Sequence, residues 1–153
     1  PYYRHAFALG ALLAQHHGAS ANAQPIRSLG TIFGEMVQVI DDMVDAMATP
    51  ASRDWSRSNN LLILFAELTD ENGRFAELKA AVQGGANPET AQQYLIDCGA
   101  VTYCEHVVKG KYERAMELLA ILKIEDSPLR KLFDSHLSAV LVPTKGPDSI
   151  RLV

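Results

Sequence analysis

Three carboxylates stand close together in the stretch "GEMVQVIDDMVDAMATPASRDW": Asp41, Asp42 and Asp45. Like charges at this spacing repel, and Asp is a poor choice for a helix interior. On a helical wheel turning about 100° per residue, with Asp41 at zero, Asp45 falls at about 40°, Gln38 at about 60° and Asp42 at about 100°. Gly34 and Gly30 fall at about 20° and about −20°. One stripe therefore carries Gly30, Gly34, Gln38, Asp41 and Asp45, with Asp42 at its edge. The rest of the circumference is apolar, from Leu29 through Phe33, Met36 and Ile40 to Val44. A helix this apolar belongs inside a bundle, so its polar stripe is expected to line a cavity. Two carboxylates one turn apart can reach one cation. Mg²⁺ takes hard oxygen ligands, keeps several waters and is commonly held by one or two carboxylates plus substrate phosphates. With the glycines leaving the stripe bare, the expected site is a groove with an apolar wall and an anionic floor. A ligand with an apolar tail and a phosphorylated head would suit it. The competing readings are an acidic patch on a solvated face, and glycines that merely let helices pack closely.

The other candidate residues are weaker. His16 and His17 point about 100° apart on a helix and make a poor metal pair; stabilising a helix C-terminus is the better use. His5, His106 and His136 have no companions. Trp55 is read as a loop anchor rather than a lid, Tyr103 as a core residue, and Lys109, Lys111 and Arg114 as a solvated face. Cys98 and Cys104 fall in one predicted helix, about 9 Å apart along its axis and too far for a disulfide. They fit packing roles in a reducing, cytoplasmic setting.

The elements that must position these residues are helices. Tyr2 to about His17 forms the first. Pro25 opens a long second helix, with Asn22 or Ala23 just outside it, running to about Ala48. "ATPASRDWSRSNN" is a loop. "NLLILFAEL" reads as a buried helix and "RFAELKAAV" as a short amphipathic one. Asn87 and Pro88 start a long helix that continues through Gly99 and Gly110 to Leu122. A last helix is capped near Asp126 or Ser127. No strand alternation appears, so the class is all-α, with residues 1–141 as one helical domain and 142–153 as a tail. At 153 residues the chain is long enough for a real core. Its net charge of −4 and 48% hydrophobic content argue against a nucleic-acid surface and against disorder. No apolar run reaches the roughly 18 residues of a membrane span. The chain opens at Pro1, without Met and already in a helical pattern, as expected of a piece of a longer protein.

"LGTIFGEMVQVIDDMVD" resembles the second aspartate-rich region of the trans-isoprenyl (polyprenyl) diphosphate synthases. Leu29-Gly30, Gly34, Gln38 and Asp41-Asp42-x-x-Asp45 fill that family's pattern, with Val37 in place of its usual Phe. "YYRHAFALGALLAQ" resembles the helix before the motif and "CGAVTYCEHVVKGKYERAMELL" a later one, so the likeness covers about Tyr2 to Leu122. The resemblance implies a helical bundle of the isoprenoid synthase type, here its C-terminal half, usually in a homodimer. It implies Mg²⁺-dependent joining of isopentenyl diphosphate to an allylic diphosphate. Asp41 would be the principal Mg²⁺ ligand, Asp42 and Asp45 would hold metal-bound waters or the second substrate's side, and Gln38 would touch the allylic end. The family's first aspartate-rich motif has no counterpart here, so the chain is expected to be incomplete alone and to pair with an N-terminal half. In the loop, Asp54 matches the family's Asp, but Asn59 stands near its Lys, so the resemblance leaves Arg53 or Arg57 to supply the diphosphate-binding charge, since Arg grips phosphate through two donors; a solvated loop arginine is the competing reading. The alternatives are a catalytically silent partner subunit of the same fold, a class I terpene cyclase, and a plain helical interaction module whose acidic patch binds no Mg²⁺. Cyclases carry a different second metal motif, with Asn and Ser, that is not visible here.

Overall fold

The computed structural model describes residues 2–17, 23–57 and 59–141, the side chains of residues 139–141 excepted. The expected tail, 142–153, lies outside the described residues, as does Asn22. Among the described residues every regular element is helical: α1 (Tyr2–His16), α2 (Ala23–Ala46), a 3-10 turn (Arg53–Ser56), α3 (Leu61–Thr69), α4 (Arg74–Gln83), α5 (Glu89–Asp97), α6 (Ala100–Leu122) and α7 (Pro128–Leu141). The all-α expectation holds. None of these helices is long and apolar enough to cross a membrane.

The expected long helix after Pro88 is in fact two. Gly99 adopts a left-handed backbone, φ 84°, which terminates α5; the Cys98 N–H returns to Tyr94 O at 2.9 Å and the Gly99 N–H to Ile96 O at 3.1 Å. Glycine takes this conformation without a Cβ penalty and commonly ends helices there. Cys98 therefore caps α5 while Cys104 sits in α6, rather than both sharing one helix. Gly110, by contrast, is passed without a break, as read from the sequence. Ala23 lies inside α2 rather than outside it.

The chain forms two compact units, and the division cuts α2 after Gln38 and α6 after His106. In the first unit, α1, the start of α2, the end of α6 and α7 enclose Phe33. Its ring meets Tyr3 at 5.0 Å, Phe133 at 5.2 Å and His136 at 4.9 Å, each edge-on. Leu29, Phe33 and Met36 recur at helical spacing and are buried, as are Val108, Ala115 and Leu119 from α6. Burying side chains of this size stabilises by about 1.5–3 kcal/mol each.

Gly30 and Gly34 belong to this unit, and α1 covers them. A Cβ on Gly30 would come within 2.7 Å of both Phe7 Cβ and the Tyr3 carbonyl oxygen; one on Gly34 would come within 3.2 Å of the Tyr3 ring. The glycine stripe is thus a helix crossing and not the open groove wall expected above.

The second unit holds the end of α2, the loop with its 3-10 turn, α3, α4, α5 and the start of α6. Here α4 packs on α5, on α3 and on the 3-10 turn, and α3 on α5. Trp55, Leu62, Ile63, Phe75, Leu95 and Cys104 form its buried core. Tyr103, expected inside, is 43% exposed and stacks on Phe65 with centroids 4.9 Å apart. An apolar neighbour on the surface holds the ring, and no core position is needed.

Candidate functional site

The acidic residues occupy the last turns of α2, in the second unit. The helix ends at Ala46, before the loop that contains Pro50, and its terminal carbonyls need outside donors. Buried Gln92 supplies them, its Nε2 donating to Ala46 O at 3.4 Å and Ala48 O at 3.0 Å. This fixes the end of α2 from α5. The loop that follows is pinned as well. Ser52 Oγ accepts from the Asp54 N–H at 3.2 Å, Gln83 Nε2 donates to Trp55 O at 2.7 Å, and the Trp55 ring is buried. Trp55 anchors the loop, as read from the sequence.

The three aspartates divide along the wheel. Asp41 is exposed, Asp45 half-buried, and Asp42 only 4% exposed. Asp42 Oδ2 accepts from the Leu61 N–H at 2.8 Å. Asn60 Oδ1 accepts from the N–H groups of Leu62 at 3.1 Å and Ile63 at 3.3 Å. Asp42 and Asn60 thereby satisfy the three donors that α3 leaves open at its start, and the Asp42 charge sits at the favourable end of that helix dipole. Facing a cavity was the wrong expectation for this residue: its carboxylate is engaged by the next helix. Asn60 itself is fully buried. Its Nδ2 donates to Asp42 O at 2.7 Å and to Asp54 Oδ2 at 3.1 Å, so one amide joins α2, the 3-10 turn and α3.

Asp54 is thus brought to the acids of α2. The carboxyl of Asp45 is raised above its ordinary range, first by partial burial and then by the negative charges of Asp54, Asp41 and Asp42, with the Arg57 guanidinium acting the other way. Asp54 ranks ahead of the two acids on Asp45's own helix. The motif read from sequence therefore gains a fourth carboxylate from the loop and a nearby cation in Arg57. Arg53 and Arg57 are both exposed. Gln38 is exposed too and falls within the first unit.

In the sequence Asn60 is both the last residue of the loop "ATPASRDWSRSNN" and the first of the run "NLLILFAEL", and neither reading gives it a capping or bridging role. An Asn directly before such a run is an N-cap signal, and that signal was available. Its second and third bonds, to Asp42 and Asp54, span 18 and 6 residues and have no sequence signature.

Comparison of the chain with protein-family models, with curated proteins and with solved structures gave no match to any of them. Among the described residues, no group of three or more His, Cys, Asp and Glu side chains is arranged to hold a metal ion. A magnesium ion needs less than that from a protein when substrate phosphates complete its shell. Exposed Asp41 and half-buried Asp45 and Asp54 are the carboxylates that could meet such a cation, and at Asp45, whose carboxyl is raised first by burial and then by its acidic neighbours, a divalent ion would relieve the like charge. Asp42, committed to α3, fits a supporting part better than that of a direct ligand.

Proposed function

We propose that the chain takes part in Mg²⁺-dependent prenyl transfer, the condensation of isopentenyl diphosphate with an allylic diphosphate. The observation that carries this reading is the gathering of Asp54 with Asp41, Asp42 and Asp45, against which Asp45 is held with a raised carboxyl. Three carboxylates at the end of α2 with a fourth from the 3-10 turn repel one another, and a cation beyond Arg57 would relieve that repulsion. The resemblance of "LGTIFGEMVQVIDDMVD" to the second aspartate-rich region gives that cation a task. Bound Mg²⁺ would stabilise the charge on a departing diphosphate. Asp41, Asp45 and Asp54 would hold it, Asp42 would fix the turn that presents them, and Arg57 would face the diphosphate oxygens. On this reading the chain works as a homodimer or beside a half that carries the first aspartate-rich motif.

A second reading is favoured by a specific observation. Asp42 already caps α3, and among the described residues no three-residue metal group stands ready. Those facts suit a catalytically silent partner subunit of the same fold.

Thermal unfolding of the chain with and without Mg²⁺ and an allylic diphosphate analogue separates the two. A ligand that binds only the folded state raises the midpoint. The prenyl-transfer reading expects a rise that needs both components and is lost in Asp41→Ala. No rise with either or both supports the silent subunit. Asp41 is the right residue to change because it is exposed, so its removal leaves the fold intact.

A further inference from the structure

We propose that Asn72 is a site of spontaneous covalent modification: it loses its side-chain amide to attack by the Gly73 backbone nitrogen, and the isoaspartyl product loosens the start of α4. The inference is independent of the prenyl-transfer reading. The chain has five asparagines, and Asn72 is the one followed by glycine. The reaction needs a backbone N–H on the next residue that can reach the side-chain amide carbon. Glycine has no Cβ to obstruct that approach. Asn72 and Gly73 are both exposed, and a Cβ built on Gly73 would meet nothing within 4 Å. Among the described residues no hydrogen bond holds the Asn72 side chain or the Gly73 N–H.

The other described asparagines each miss a requirement. Asn87 is followed by Pro88, which has no N–H, and its Oδ1 already accepts from the Glu89 N–H at 3.1 Å. Asn60 is fully buried, and the N–H after it, that of Leu61, donates to Asp42 Oδ2 at 2.8 Å. Asn59 precedes Asn60, whose buried side chain ties that stretch of backbone to α2 and α3.

The chemistry balances without an oxidant or a cofactor. The Gly73 nitrogen gives its proton to hydroxide and bonds to the Asn72 amide carbon. The bond from that carbon to Nδ2 breaks, and the nitrogen leaves as ammonia, taking a proton from water. Water then opens the resulting cyclic imide at one of its two carbonyls. Breaking the newly formed C–N bond gives an aspartyl residue with the original backbone. Breaking the original peptide C–N bond gives an isoaspartyl residue, with one extra methylene in the main chain. The net change consumes one water and releases one ammonia. The extra methylene falls in residues 71–73, which join Asp70 to α4. Asp70 Oδ2 accepts from the N–H groups of Phe75 at 2.9 Å and Ala76 at 3.1 Å. Its Oδ1 accepts from the Tyr94 hydroxyl at 3.3 Å. Asp70 thus caps α4 and reaches α5 across a bridge of fixed length. Lengthening that bridge displaces the cap, whereas the aspartyl product leaves it in place.

The test incubates the folded protein at pH 8, digests it with trypsin and locates modified residues by mass spectrometric sequencing. Asn72→Gln is treated in parallel, because its longer side chain closes the ring poorly. The mass gain of exchanging NH2 for OH is expected at Asn72, ahead of Asn59, Asn60 and Asn87. Methyl transfer by an isoaspartyl methyltransferase is expected in wild type and not in Asn72→Gln. No gain at Asn72 in the folded protein, or an earlier gain at Asn59, overturns the site. The two product forms are then separated by chromatography and melted. Losing the cap lowers the midpoint by roughly 2–4 °C. That fall is expected in the isoaspartyl form, while the aspartyl form and freshly prepared Asn72→Asp melt with the untreated protein. An isoaspartyl form that melts with the untreated protein overturns the link to the Asp70 cap. Equal falls in both forms overturn it too, because added charge and not backbone length would then be the cause.

Discussion

Replacing glycine by alanine at three helical positions gives three different outcomes, and the differences follow from what each new methyl group meets. All three substitutions gain about 1 kcal/mol from helix propensity. At Gly110 the methyl group has nothing within 4 Å, so the gain stands and the variant is more stable by roughly 0.5–1 kcal/mol. At Gly34 it meets the Tyr3 ring at 3.2 Å, a tight contact with a side chain that is itself 41% exposed and able to shift; the two effects nearly cancel. At Gly30 it meets Phe7 Cβ and the Tyr3 carbonyl oxygen, both at 2.7 Å, and Phe7 Cγ at 2.9 Å. A backbone atom and a Cβ cannot swing aside, so α1 must lift. Overpacking costs about 1–3 kcal/mol, which leaves a net loss of up to about 2 kcal/mol after the propensity gain. For a chain of this length, 1 kcal/mol moves the midpoint by roughly 2–4 °C. Thermal unfolding followed at 222 nm, with urea titration as a second probe, should rank Gly110→Ala above wild type, Gly34→Ala near it and Gly30→Ala clearly below. If Gly30→Ala is stabilised as much as Gly110→Ala, α1 does not cross α2 at Gly30, and the groove expected from the glycine stripe is open after all.

The raised carboxyl of Asp45 makes the metal-free protein less stable as pH rises. The folded state holds its proton more tightly than the unfolded chain, whose value is near 3.8, so stability falls between that pH and the raised native value. Asp45→Asn in chelator should therefore raise the thermal midpoint at pH 7 and give no advantage below pH 3.8; equal midpoints at pH 7 would refute the raised carboxyl, whose first cause is burial and second the neighbouring charges. The thiol of Cys104 is fully buried and burial pushes it up to about 12, so it should resist alkylation at pH 8 while half-buried Cys98 reacts. Mass spectrometry should find one modified cysteine in the native protein and two in denaturant; rapid labelling of Cys104 would mean that the start of α6 is not packed as described.

How far the sequence could be read depended on whether the deciding interaction was local. The boundaries of α3, α4 and α7 follow from residues beside them: Asn60 before an apolar run, "TDENG", and Pro128 at the first position of α7. Gly99 carried a stop signal of the same local kind. The helical pattern runs on past it, as it does past Gly110, and a helical pattern cannot report that one residue has φ 84°. Tyr103 was placed inside because it is large and aromatic, yet its partner is Phe65, 38 positions away in the chain, and stacking on one neighbour satisfies a ring that a core would have to enclose.

The acidic motif was found for a sound reason and given the wrong surroundings for an equally physical one. Charge spacing along a helix is local, so Asp41, Asp42 and Asp45 announce themselves. What lies opposite each of them is not local. The wheel places Asp42 about 100° from Asp41, and that angle alone cannot say whether the neighbouring face is solvent, cavity or another helix's first turn. Here it is the first turn of α3, whose open N–H groups attract a carboxylate with both hydrogen bonds and dipole. An aspartate on a buried helix thus has two ways to be stable, a cation or a helix N-terminus, and this chain gives Asp42 the second. The same step leaves Asp41 exposed to solvent and Asp45 beside Asp54 and Arg57, and the carboxyl of Asp45, raised first by burial and then by the neighbouring acids, is the part of the cluster that capping does not explain. A search for ligands should accordingly begin with those three carboxylates and not with the Asp-Asp pair that makes the motif conspicuous in the sequence.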